Sequence, residues 1–194
     1  MTESSPLERA ARLERGLVEH GSVRATEIDA AIARAEDPGG DQPSTALGAR
    51  VVARAWADPD YRARLLADPV GTLGELVAQP VPIAVLADTP SVHHVIVCTL
   101  CSCYPTALLG NPPAWYKSFE YRSRVVREPR AVLAEFGTVV DPGVEIRVHD
   151  STAEQRYLVL PQRPAGTDGW TEDQLATLVT RDAMIGTRYP RAGE

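Results

Sequence analysis

Apolar residues recur at helical spacing through the first part of the chain. Leu7, Ala10, Ala11, Leu13 and Leu17 share one face of a helix that opens at Ser4 or Ser5, takes Pro6 into its first turn and stops at Gly21. A second helix, "TEIDAAIARAED", is capped by Thr26 and carries acidic residues in its first turn. The segment "PGGDQPS", Pro38 to Ser44, reads as a linker. Helical pattern then resumes in "ALGARVVARAW", breaks at "DPD" and returns as "YRARLLAD" and "VGTLGELV". The Asp58-Pro59 and Asp68-Pro69 steps between these segments read as caps and turns.

The pattern changes at Gln79. "VPIAVLA" and "HHVIVCTL" are β-rich runs divided by the turn signal "DTPS". A loop of low helical propensity follows, including "GNPPAW" from Gly110 to Trp115. "REPRAVLAEFG" predicts a helix closed by Gly137, and "VEIRVHD" and "RYLVLPQ" predict two strands around "STAEQ". "DGWTEDQLATLVTRDAMIG" predicts one last helix, capped by Thr171 and ended by Gly186. The pattern as a whole predicts an α+β chain. A helical, partner-wrapping arm covers residues 1–78, and an α/β domain covers 79–194.

Composition narrows the function classes. A chain of 194 residues that is 44% hydrophobic can bury a proper core, and its net charge of −6 argues against nucleic-acid binding. The charged start "MTESSPLERAARLERG" is no signal peptide, and the apolar runs are far shorter than a membrane span. The expectation is a cytoplasmic protein. In such a reducing compartment, clustered cysteines point to metal binding or catalysis rather than to a disulfide framework.

All three cysteines fall within six residues, as Cys98-x-x-Cys101-x-Cys103 in "VIVCTLCSCYP". Cys101 and Cys103 are too close in sequence for easy disulfide geometry. Three thiolates on one tight loop can occupy one face of a metal ion. No proline blocks the amide nitrogens of Ser102 and Cys103, so a strongly Lewis-acidic trivalent ion can take both as ligands and keep one position open. Three other readings stand beside this one. A structural zinc site would recruit His93 or His94 as a fourth ligand. An iron–sulfur cluster lacks its fourth cysteine here. Buried inert thiols are the third. A further feature concerns charge: from Thr89 to Tyr116 there is no Lys, Arg, Asp or Glu. An anionic ligand set around a trivalent ion needs cationic or hydrogen-bonding partners, supplied either by distant arginines or, as we favour, by another subunit.

"VCTLCSCYP" resembles the metal-binding signature of nitrile hydratase alpha subunits. The resemblance continues through "GNPPAWYKSFEYRSRVVREPRAVLAEFG", "EIRVHDSTAEQRYLVLPQRPAGTDGWTEDQL" and "VTRDAMIG", and reaches back to "GARVVARAWADPDYRARLLAD". The related thiocyanate hydrolase carries the same signature in its metal-binding subunit. The resemblance implies a layered α-β-β-α domain holding a non-haem Co(III) or Fe(III) centre. In it Cys98 is the unmodified axial thiolate, Cys101 a sulfinic acid and Cys103 a sulfenic acid, with the backbone nitrogens of Ser102 and Cys103 as further ligands. Thr99 and Tyr104 resemble the cobalt type.

The activity implied is hydration of a small-molecule nitrile to its amide, with Cys103 as a candidate nucleophile. Gln79, nineteen residues before Cys98, matches the family's active-site glutamine, although on its own it reads as a turn residue before Pro80. The family also implies a beta-type partner that supplies arginines and a maturation partner that loads the metal. Thr106 departs from the pattern, since most nitrile hydratases carry Trp directly after "CYP". With Tyr104 and Trp115 as further candidate pocket residues, this implies a wider, more polar cavity and a bulky, nucleoside-like nitrile of the toyocamycin kind. For Trp115, packing around the loop is the competing reading. The alternatives are a thiocyanate hydrolase subunit and a zinc-binding structural module.

Overall fold

Two pairs of parallel strands carry the fold. A computed structural model describes residues 16, 18–21, 24, 45–74, 76, 82–101 and 103–192. In it β1 (Ile83–Ala87) pairs in parallel with β4 (Arg156–Leu160), and β2 (Val92–Val97) pairs in parallel with β3 (Glu145–Asp150). The consecutive strands β1 and β2 meet only through the turn at Thr89, whose hydroxyl accepts from the Val92 amide at 3.0 Å. Parallel pairing wants strands covered on both faces, and β2 meets that demand: every residue from His93 to Val97 is buried.

Helices α1 (Thr45–Ala57), α2 (Pro59–Ala67) and α3 (Pro69–Gly74) precede the strands. The two Asp-Pro steps act as read from the sequence. The Asp58 side chain accepts from the Tyr61 amide at 2.9 Å with Pro59 in the first turn of α2, and Asp68 accepts from the Gly71 amide at 2.9 Å. α2 and α3 pack on β1, and α1 buries Val51, Val52 and Ala55 in the same core. Burial of each of the two valine side chains contributes about 2 kcal/mol, and that of Ala55 about 0.8 kcal/mol.

One compact unit runs from Asp41 to Glu194 and the other from Met1 to Gly40. The remaining unit, residues 1–40, shows a helical hydrogen bond from the His20 amide to the Gly16 carbonyl, and Gly21 at φ +67°. The other helical residues expected there, including those capped by Thr26, and the linker 38–44 lie outside the described residues.

After β2 come α4 (Thr106–Leu109), α5 (Ala114–Lys117), α6 (Phe119–Arg124) and α7 (Pro129–Glu135). The stretch read as a loop therefore contains three short helices, α4, α5 and α6. The expected last helix is two, α8 (Glu172–Ala176) and α9 (Arg181–Ile185). Its apolar spacing is continuous, but Thr180 caps a new start by accepting from the Ala183 amide, as Thr171 caps α8 through a capping box with Gln174. Gly186 ends α9 in the left-handed region, at φ +89°. It also lies so close to β2 that a Cβ there would stand 2.0 Å from the His94 carbonyl oxygen. Only glycine fits.

Candidate metal centre

β2 delivers the cysteine loop. Cys98 follows the last residue of the strand and is 1% exposed, Cys103 is half-buried and Cys101 is exposed. The loop is clamped where it leaves the sheet. The Ser151 amide donates to the Val97 carbonyl at 2.6 Å, and the Thr99 amide and hydroxyl donate to the two oxygens of Asp150 at 2.9 and 2.5 Å. Asp150 stands opposite Val97 at the end of β3, so strand register places the clamp.

The far side of the loop is held by the helices that follow it. The Tyr116 hydroxyl, fully buried, donates to the Cys103 carbonyl at 3.0 Å. Arg122 donates from Nη1 to the Cys101 carbonyl and from Nε to the Ser118 carbonyl, both at 3.3 Å. α6 is capped by Ser118, which accepts from the Tyr121 amide at 3.1 Å, and is fastened to β2 by the Tyr121 hydroxyl on the Ile96 carbonyl at 2.7 Å.

The three sulfurs converge. Sγ of Cys101 lies 3.5 Å from that of Cys98 and 3.3 Å from that of Cys103, and all three fall within 4.8 Å of one another. Thiolates about 2.3 Å from a common ion would be about 3.3 Å apart at right angles and about 3.8 Å apart at tetrahedral angles. The 3.3 Å separation matches a right angle, the arrangement of neighbouring donors in a six-coordinate centre, and the 3.5 Å one falls between the two geometries. The Cys101 thiol, and then burial, push the Cys103 thiol up to about 11, so Cys103 becomes a thiolate ligand only by losing its proton to a bound cation's competition.

The histidines do not join the cluster. His93 Nδ1 meets Asp88 Oδ2 at 2.9 Å and Nε2 donates to the Gly186 carbonyl at 2.8 Å, so both ring nitrogens are engaged. His94 Nδ1 meets His149 Nε2 at 2.8 Å. Among the described residues the metal-capable group is the cysteine trio alone, and the zinc site completed by His93 or His94 is not formed.

The expected pocket residues separate. Thr106 is exposed at the start of α4. Tyr104 is 6% exposed, packed edge-on to Tyr116 at 5.0 Å, and burial holds its hydroxyl far above the usual phenol range. Trp115 is half-buried and stands edge-on to Phe136 at 4.6 Å and to Tyr121 at 4.8 Å, which is the packing reading. Gln79 and Ser102 lie outside the described residues. Sequence reasoning placed Tyr116 in the packing around the loop, as the structure has it, but missed Arg122 as a support. The only local hint was a run without charge that had to find a cation elsewhere.

A family model described as nitrile hydratase, alpha chain, matches residues 4–188. The chain belongs to the nitrile hydratase alpha-chain family. It is 51% identical over 185 residues to the low-molecular weight cobalt-containing nitrile hydratase subunit alpha of Rhodococcus rhodochrous, covering 94% of this chain and 87% of that one. Among solved structures it is similar to a double mutant of Fe-type nitrile hydratase from Comamonas testosteroni Ni1. That match has a TM-score of 0.75 and 38% identity, over 98% of this chain and 93% of the other. A mutant of thiocyanate hydrolase matches with a TM-score of 0.74 and 43% identity, over 99% and 93%. Nitrile hydratase alpha chains and thiocyanate hydrolase thus share this α+β fold.

Proposed function

We propose that this chain is the metal-bearing alpha-type subunit of a nitrile hydratase that adds water across the C≡N bond of a nitrile to give an amide, with Co(III) as its metal and Fe(III) as the alternative. The observation that carries the reading is the convergence of three sulfurs at 3.3–3.5 Å on a loop clamped at both ends. Cys98, Cys101 and Cys103 would hold the ion, with the backbone nitrogens of Ser102 and Cys103. Bound there, a trivalent ion supplies Lewis acidity toward a nitrile or a water.

The chain's own residues do the rest. Cys98 is buried and stays an unmodified thiolate, Cys101 is the sulfinic acid and Cys103 the sulfenic acid. The Cys103 oxygen either attacks the nitrile carbon or takes the proton of an attacking water, and Gln79 orients that water or the substrate through its amide. Exposed Thr106 leaves room beside the loop for a bulky nitrile, with Tyr104 and Trp115 backing it from within the packed layer.

A beta-type partner completes the cavity. Leu100, 87% exposed on the loop itself, and Phe119, 79% exposed on the helix that reaches the loop, support an apolar cover on this side. The partner supplies arginines to the oxygenated sulfurs, the helical stretch over residues 1–78 wraps it, and a maturation partner loads the metal. No helix among the described residues is long and apolar enough to cross a membrane, and a cytoplasmic setting suits thiols that must stay reduced until loading.

Intact-mass analysis of the cobalt-loaded complex tests the reading: it should show three added oxygens on this chain. Unmodified cysteines with stoichiometric zinc would overturn it. The likeness to thiocyanate hydrolase supports a second reading, and carbonyl sulfide release from thiocyanate without hydration of any nitrile would put that one first.

A further inference from the structure

The run from Thr89 to Tyr116 carries no formal charge, yet the fold hydrogen-bonds the Arg122 guanidinium to the loop, and Arg156 adds its field at Cys103. Arg122 sits twenty-one residues past Cys101, and its guanidinium is oriented by Nε on the Ser118 carbonyl while Nη1 reaches the Cys101 carbonyl. The helix that bears it is fixed at its start by the Ser118 cap and along its length by Tyr121 on β2. Which carbonyl it reaches is the point of interest. The carbonyl carbon of Cys101 is bonded to the nitrogen of Ser102, one of the two proposed nitrogen ligands. A peptide group is a single resonance unit, so electron density on its nitrogen is shared with its oxygen. A peptide nitrogen that binds as an anion therefore leaves much of its charge on that oxygen.

A guanidinium is the complementary partner there, because it is always charged and presents a rigid donor fork. The contrast with Tyr116 is informative. Its neutral hydroxyl meets the Cys103 carbonyl, which belongs to the peptide leading to Tyr104 and so to no proposed ligand.

We propose that Arg122 is a positioning residue of the metal centre: it fixes the Cys101–Ser102 peptide and balances the negative charge that this peptide carries when its nitrogen is a ligand. The proposal rests on the reading of the Ser102 nitrogen as a ligand given above. It also assigns part of the missing positive charge to this chain rather than to a partner.

The test uses the assembled complex of this chain with its beta-type partner, loaded with cobalt, as wild type, R122K and R122Q. Cobalt per chain, the half-life of bound cobalt under a chelator and the visible absorption bands are measured beside turnover. R122Q should lose cobalt about 10- to 100-fold faster than wild type, the range expected when an outer partner of a metal site is removed. Its absorption bands should shift, because the donor strength of the peptide nitrogen changes. R122K, which keeps the charge without the fork, should fall between the two.

Equal cobalt retention and unshifted bands in R122Q would overturn the proposal. So would an R122K as defective as R122Q, which would leave only shape to explain the residue. If R122Q does not assemble, R122K is read alone: shifted bands support the role and wild-type bands overturn it. A wild-type complex that takes up no cobalt would instead remove the functional reading itself, and this inference with it.

Discussion

Strand β2 carries two concentrations of chemistry, five residues apart, that behave in opposite ways. At His93 both ring nitrogens are engaged, one by Asp88 and one by the Gly186 carbonyl, and the side chains of His93 and Asp88 are each 2% exposed. At Cys98 to Cys103 the loop's backbone is tied down while its three sulfurs face one another, with Cys101 exposed. The first arrangement has spent its hydrogen-bonding capacity inside the fold and holds β1, β2 and α9 together. The second ties the loop's backbone at Thr99, Cys101 and Cys103 and turns three sulfurs toward one another. Reactive residue types in a structure separate on that criterion, and sequence position does not reveal it.

The contrast breaks most sharply at Cys103. Cys103→Ala in the reconstituted complex should lower turnover on the order of 10³-fold or more and cut cobalt content, as expected when one member of an interdependent catalytic unit is removed. Turnover near wild type would end the reading. His93→Leu should act on the other concentration alone. Removing His93 strands the buried Asp88 carboxyl without its hydrogen-bond partner, at a cost of about 3 kcal/mol in denaturant unfolding, while cobalt per folded chain stays at the wild-type value. A loss of cobalt without a loss of stability would contradict the separation.

Gly186→Ala tests the same junction from α9. A left-handed backbone and a 2.0 Å contact with a carbonyl oxygen should cost about 2 kcal/mol, seen as a lower unfolding midpoint. The smallest effect concerns pH. Burial holds both His94 and His149 below the usual histidine range, so the folded chain keeps them neutral. The unfolded chain, with histidines near 6.5, takes up protons first as pH falls. Stability should therefore decline between pH about 7 and about 5. His149→Phe should flatten that slope, and an unchanged slope would rule the pair out as its source. The buried Asp182 carboxyl is raised by burial and acts in the opposite direction, so the difference between wild type and His149→Phe isolates the pair.

Local signals were the legible ones. Asp58 and Asp68 as caps, Thr171 as the start of a helix, Gly186 as a stop and the four strand runs all depend on residues within a turn of one another, and the structure places them as read. The break between α8 and α9 was hidden because apolar spacing continues across it, while a threonine cap decides it. Strand partners were hidden for a different reason. Parallel pairing joins residues 83–87 to 156–160 and 92–97 to 145–150, contacts that no short window contains. At the metal centre the cysteines announced themselves by spacing, but Arg122 was one of many arginines until a helix turned it toward Cys101. Tyr104, expected at the pocket, faces into the core because the residue after Cys103 enters the layer that buries Tyr116.

The graded depth of the three sulfurs has a consequence for the order of events in making the centre. An oxidant diffusing in from water would meet exposed Cys101 before half-buried Cys103, with Cys98 the deepest of the three. Under the proposed function this ranking by reach matches the assignment of most oxygen to Cys101, less to Cys103 and none to Cys98.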